Sequence, residues 1–177
     1  MRLVRTTLPE PRTASARTPY RIAVVCLGNI CRSPMADVVL NDRLERAGIA
    51  DRVEVVSAGT GSWHVGRPMD RRAAALLTTH GYDASDHSAQ QFEADWLDDC
   101  DLVLAMDVDN YRDIIGLGPD TRVRMFRDFD PLADDRDRDV PDPYYGGDDG
   151  FDRVLAMVER TADALVGVLV TTATQDD

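Results

Sequence analysis

The chain has 177 residues, 44% of them hydrophobic, which suits one domain around a single sizeable core. Its formal net charge of -12 and pI near 4.6 argue against nucleic acid or an anionic membrane as a partner. Three cysteines do not make a disulfide framework, no apolar run reaches membrane-spanning length, and the N-terminus lacks the apolar core of a secretory signal; a reducing cytoplasm suits such a chain.

Residues 1–19 are rich in Pro, Thr and Arg without periodicity and read as a disordered tail. From there strands and helices alternate. Strands are expected at Arg21–Cys26, Val53–Ser57, Leu102–Met106 and Val123–Phe126, each apolar or β-branched. Helices are expected at Pro34–Ala47 stopped by Gly48, Arg71–His80 stopped by Gly81, Asp107–Ile115 stopped by Gly116, and Phe151–Val170; residues 171–177 read as frayed. This alternation implies a single α/β domain, residues 20–170, with a parallel sheet covered on both faces and ligands at the carboxyl ends of its strands. All 20 basic residues are arginine and lie scattered, which reads as composition bias.

One such strand end carries the densest chemistry. The run Ile22-Ala23-Val24-Val25 leads into Cys26-Leu27-Gly28-Asn29-Ile30-Cys31-Arg32-Ser33, and Ser33-Pro34 starts a helix. Five residues between a cysteine and an arginine let the backbone curl into a cup whose N–H groups face inward, toward the position of the sulfur. Such a cup binds a tetrahedral oxyanion. The helix adds its positive N-terminal end, which favours anions and the thiolate form of Cys26. Arg32 supplies a planar fork for two equatorial phosphate oxygens. A buried cysteine ending a strand and an unrelated arginine would give the same spacing; the strand before and the helix after favour the catalytic reading.

With these motifs the chain resembles the low-molecular-weight protein-tyrosine phosphatases. The resemblance rests on Val-Cys-Leu-Gly-Asn-Ile-Cys-Arg-Ser-Pro-Met-Ala near the start and Asp142-Pro143-Tyr144-Tyr145-Gly146 near the end. Ser57-Ala58-Gly59, Trp63, the stretch from His87 to Gln91 and Ala105-Met106-Asp107 add to it, so that it covers roughly Tyr20 to Val170. It implies a four-stranded parallel sheet in a flavodoxin-like, doubly wound arrangement. It also implies a phosphatase acting on phosphotyrosine proteins and small aryl phosphates through a phosphocysteine, with no metal or organic cofactor. Phosphate, vanadate and similar oxyanions would inhibit it.

The resemblance also assigns residues. Cys26 is the nucleophile, Arg32 and the amides of Leu27, Gly28, Asn29, Ile30, Cys31 and Arg32 bind the phosphate, and Ser33 stabilises the thiolate. Asp142 is the general acid and base; composition alone does not separate it from its acidic neighbours in the loop Asp128–Asp152. Trp63, Tyr144 and Tyr145 are candidate walls of an aryl slot, Trp63 being alternatively core filler. Asn29, Ser33, Ser57 and His87 are expected to prop the loop, His87 being alternatively a cap or surface histidine. His64 and His80 carry no signal. Cys31 is either a redox partner that captures oxidised Cys26 or a small packed side chain.

Three rivals share the fold or the motif. A thioredoxin-coupled arsenate reductase needs two further downstream cysteines, and only Cys100 follows. A protein-arginine phosphatase of the same family carries Thr where this chain has Ile30. A noncatalytic phosphotyrosine-binding module would lack the nucleophile or the acid.

Overall fold

The computed structural model describes residues 7–12, 18–118, 121–147 and 149–173. Strands β1 (Tyr20–Cys26), β2 (Val53–Gly59), β3 (Leu102–Ala105) and β4 (Val123–Met125) form one parallel sheet in the order β2-β1-β3-β4. Helices α1 (Arg32–Ala47), α2 (Arg71–Thr79), α3 (Trp96–Asp99), α4 (Val108–Leu117) and α5 (Asp149–Ala173) cover it. Side chains alternate along a strand, and here both faces are dry. Ile22, Val24 and Cys26 join Leu40, Leu77 and Leu165 of α1, α2 and α5, whereas Ala23 and Val25 join Phe92, Leu97 and Ile114 on the other face. That two-sided burial is why β1 reads as an unbroken apolar run.

Chain order along the sheet reverses direction at β1, so the carboxyl ends of β1 and β3 border the crevice where ligands bind in such sheets. Cys26 ends β1 there.

Element limits differ from expectation at several junctions, each for a local reason. Strand β2 continues to Gly59, paired with Cys26. Asp107 caps α4 instead of opening it, its Oδ1 accepting the Asn110 amide at 2.8 Å. Phe126 leaves the sheet and starts a 3-10 turn, Phe126–Phe129. Gly116 lies inside α4, which ends at Leu117 with Gly118 at its C-cap. Helix α5 starts two residues before Phe151 and runs to Ala173, so residues 171–173 are helical and not frayed. Residues 174–177 lie outside the described residues. No described helix is long and apolar enough to cross a membrane.

The N-terminal segment also departs from expectation. Residues 7–12, read as part of a disordered tail, are fastened to the domain; residues 1–6 and 13–17 lie outside the described residues. Leu8 packs against the larger core, and the Pro9 carbonyl accepts the Tyr20 hydroxyl at 2.9 Å. Arg122 donates to the Glu10 carbonyl at 2.6 Å. Arg12 donates its amide to Asp101 at 2.7 Å and its guanidinium to the carbonyls of Cys100 and Leu97. These partners are distant in sequence, so composition alone did not reveal them.

After β4 the chain forms a buried ionic knot. The Asp130 carboxylate accepts Arg127 Nε at 2.9 Å, Arg160 of α5 at 2.7 and 2.8 Å, and the Leu132 amide at 2.9 Å. Burial works against its charge, but Arg160, the Leu132 amide and Arg127 outweigh it and hold the carboxyl at about 2, below the ordinary 3.8. A depressed carboxyl stabilises the fold above its unfolded pKa, and that contribution is lost as pH falls through the folded value. Stability should therefore fall between about pH 4 and pH 2. Asp130→Asn should cost about 3–5 kcal/mol, because it removes the buried carboxylate that two guanidinium groups share. Urea unfolding across this pH range checks both expectations, and the variant should lose less stability on acidification than wild type.

Candidate active site

The loop between β1 and α1 is held from three directions. Asn29 is the one described non-glycine residue with positive φ, at 56°, a conformation that asparagine tolerates better than most. Its side-chain amide donates to Ser33 Oγ at 2.8 Å and to Ser57 Oγ at 3.0 Å. Its Oδ1 accepts the Gln90 amide at 2.9 Å, and its backbone carbonyl accepts His87 Nε2 at 2.7 Å. A carbonyl only accepts, so Nε2 carries the hydrogen. Burial lowers the proton affinity of His87, against the opposing effect of that bond.

The other side of the loop rests on glycine. A methyl at Gly59 would lie 2.7 Å from the Leu27 carbonyl oxygen and 3.0 Å from the Asn29 amide, both backbone atoms that cannot swing away. Thr60 and Gly61 then donate to the carbonyls of Cys26 and Leu27 at 2.9 Å each, and Asp70 donates to the Ile30 carbonyl at 2.8 Å.

Within this cradle the Cys26 sulfur lies 3.3 Å from the Asn29 amide and 3.0 Å from Ser33 Oγ. Ser33 already accepts from Asn29, so its single proton serves either Cys26 or the Ala58 carbonyl at 3.3 Å. A thiolate can only accept, which turns the hydroxyl toward sulfur once Cys26 ionises.

Arg32 is 2% exposed, and its charge is shared among several acceptors. One nitrogen donates to Asp107 at 2.5 Å and to the Val140 carbonyl at 3.1 Å; the other meets Asp142 at 3.4 Å. Burial opposes the guanidinium charge, but the negative field of Cys26 and the bonds to Asp107 and Asp142 raise its pKa further. Asp107 thus serves twice, capping α4 through one oxygen and aiming Arg32 through the other.

A cleft of about 410 Å³ opens over the loop, lined by Cys26, Leu27, Gly28, Ile30, Cys31, Arg32, Trp63, His64, Asp142, Tyr144 and Tyr145. The structure therefore brings together Cys26, Arg32, Asp142 and all three aromatic candidates around one cleft. Trp63 is 71% exposed, which places it on the rim and not in the core. Tyr144 and Tyr145 meet edge to face with ring centroids 4.8 Å apart, the outer Tyr145 being 92% exposed.

Three contributors have no role in the sequence reading. His64 lines the cleft, its ring so near Gly28 that a methyl there would lie 2.9 Å from Cδ2. Its position directly after Trp63 was the available signal. Asp107 and Gln90 were noticed as parts of family-like stretches but given no role, because their partners Arg32 and Asn29 are remote in sequence.

Comparison with known proteins bears on what this cleft is. The family model described as low molecular weight phosphotyrosine protein phosphatase matches residues 21–175. The chain belongs to this family. It is a phosphatase, and its single sheet is the family's flavodoxin-like α/β fold. A low molecular weight protein-tyrosine-phosphatase of Streptomyces coelicolor is 47% identical over 154 residues, 85% of this chain and 93% of the relative. A protein tyrosine phosphatase of Entamoeba histolytica superposes with a TM-score of 0.80 at 31% identity, covering 86% of this chain and 98% of that one. Wzb of Vibrio vulnificus, solved in complex with benzylphosphonate, superposes with a TM-score of 0.72 at 26% identity over 85% of this chain and 99% of its own.

The phosphatase holds Trp63 at the rim through a second close approach. A methyl at Gly61 would overlap Cζ3 and Cε3 of the indole, so Gly61→Ala must displace the ring. The variant should raise KM for aryl phosphates roughly fivefold, the equivalent of about 1 kcal/mol of aromatic contact, without changing vanadate inhibition. Trp63→Ala should reproduce the effect. Steady-state kinetics with an unchanged aryl KM in both variants would remove Trp63 from the aryl site.

Proposed function

We propose that the chain is a protein-tyrosine phosphatase that hydrolyses phosphotyrosine in proteins, and small aryl phosphates, through a phosphocysteine on Cys26. The observation that carries this reading is the sulfur seated 3.3 Å from the Asn29 amide and 3.0 Å from Ser33 Oγ, in a cleft that also contains a buried guanidinium and a carboxylate. Benzylphosphonate in the Vibrio relative has the shape of an aryl phosphate ester, which supports the aryl assignment.

The phosphoryl group sits on the amides of residues 27–32 with two oxygens on the Arg32 fork. Cys26 attacks phosphorus opposite the phenolic oxygen. Most of the acceleration comes from donors already aimed at the equatorial oxygens as charge shifts onto them. Asp142 gives its proton to the leaving phenolate; its carboxylate then takes one from the water that attacks the phosphocysteine. Ser33 donates to the sulfur as it leaves as thiolate. Trp63, His64, Tyr144 and Tyr145 line the cleft above the loop, where a phenyl ring reaches them and a serine side chain does not.

Cys26→Ser should lose essentially all turnover of p-nitrophenyl phosphate while retaining vanadate binding; turnover in the pure variant would falsify the covalent mechanism. Asp142→Asn should lose about 10²- to 10⁴-fold in kcat/KM for esters of basic phenols and less for esters of acidic ones. A leaving-group series showing equal losses would reject Asp142 as the acid. Arg32→Lys should be severe for every ester, since a point charge cannot replace the fork.

Cys31 extends the reading to redox control. Burial first, and Asp70 second, push its thiol up, so it remains a neutral thiol beside the reactive sulfur. Peroxide converts Cys26 to the sulfenic acid, and the Cys31 thiol displaces water from it to form a disulfide. Peroxide-treated enzyme should recover fully with dithiothreitol, and Cys31→Ser much less. Equal recovery, with no Cys26–Cys31 link by mass spectrometry, would reduce Cys31 to packing.

A further inference from the structure

The segment leading to Asp142 is fastened from outside the cleft by one buried arginine. Arg127 is 2% exposed, in the 3-10 turn after β4. With its Nε on Asp130, its other nitrogen donates to Asp137 Oδ1 at 2.9 Å and to the Asp139 carbonyl at 2.9 Å. The chain is then caught from the opposite side. Asp139 Oδ1 accepts the Val108 amide at 3.0 Å, the Val140 amide donates to the Met106 carbonyl at 2.7 Å, and the Val140 carbonyl accepts Arg32 at 3.1 Å. Asp142 stands two residues past this last fastening, its Oδ1 accepting the Tyr144 amide at 3.1 Å.

We propose that Arg127 is a positioning residue for the proton-transfer step: it sets where Asp142 stands relative to the leaving oxygen without touching substrate. The inference rests on the assignment of Asp142 as the acid. Arg127 binds three points in a fixed planar fork, and Arg160 holds Asp130 from the other side, so the fork has a rigid anchor. Without the fork, Asp137 and the Asp139 carbonyl lose their partner while Val140 keeps its bonds to Met106 and Arg32. The segment then shifts without unravelling, and a displacement of about 1 Å can cost about 10²-fold in a step that needs alignment. Cys26, Arg32 and the amide cup belong to β1, the loop and α1, so oxyanion binding keeps its geometry.

The test compares kcat/KM along a series of aryl phosphates, from p-nitrophenyl to phenyl phosphate, for wild type, Arg127→Lys, Asp137→Ala and Asp142→Asn, with vanadate inhibition measured in each. Arg127→Lys should lose about 10-fold or more on phenyl phosphate and less than about 3-fold on p-nitrophenyl phosphate, with vanadate inhibition unchanged. Asp137 is 67% exposed at its side chain and leaves the Asp130 pair intact, so Asp137→Ala should show the same tilt more weakly and decides the matter should Arg127→Lys fail to fold. A steepened series in Asp142→Asn with parallel losses, or none, in the other two variants overturns the role of Arg127 alone. A flat response in Asp142→Asn overturns the acid assignment, and the inference falls with it.

Discussion

The carboxamide of Asn29 has two N–H donors and one carbonyl, and each is committed to a different element: Ser33 at the start of α1, Ser57 in β2, and the amide of Gln90. Buried polar groups without partners are costly, about 1–3 kcal/mol each, so this full commitment fixes the loop's one left-handed residue in place. With Asn29 turned that way, its own amide faces the sulfur and its carbonyl turns out to His87. Ser33 gives its acceptor capacity to Asn29, which leaves its hydroxyl proton free to face the sulfur. The surroundings of the Cys26 sulfur therefore depend on hydrogen bonds that begin three residues away.

A second constraint is charge. The chain carries a net -12, yet its cleft is organised for an anion. At physiological ionic strength a surface charge is screened over about 8 Å, so nearby groups decide what binds. Those groups are backbone amides and a buried guanidinium, whose cost of burial is offset by Cys26, Asp107 and Asp142. Much of the acidic excess lies in the loop beyond β4, and there Arg127 and Arg160 neutralise Asp130, the buried acid among the described residues of that loop.

What could be read from sequence follows the range of the interactions responsible. The β1–loop–α1 unit was legible because an apolar run, a Cys-x5-Arg spacing and a Ser-Pro helix start are contiguous, and the local backbone does the rest. The four strands were legible because both faces of a parallel sheet are apolar. Asp142 was singled out only through resemblance, since nothing local separates it from its neighbours; in the fold it lines the cleft, its carboxylate 3.4 Å from Arg32. Asp107, Gln90 and Arg127 carried no local signature, because each acts on a residue that the fold brings near. His64 was overlooked although it adjoins Trp63, because a lone histidine has no spacing to read. The short α3 and the packed residues 7–12 were missed because they hold each other from afar in sequence, Arg12 donating to the carbonyls of Leu97 and Cys100.

The attachments of residues 7–12 all fall at one end of the sheet. Tyr20 begins β1, Asp101 immediately precedes β3 and Arg122 immediately precedes β4, so these contacts sit at the amino ends of the strands, while Cys26 closes the carboxyl end of β1. Residues 7–12 are therefore anchored at the pole opposite the cleft. A version of the protein grafted to a bead through a side chain of that segment would present its cleft outward, with the length of the strands between the tether and an approaching ligand.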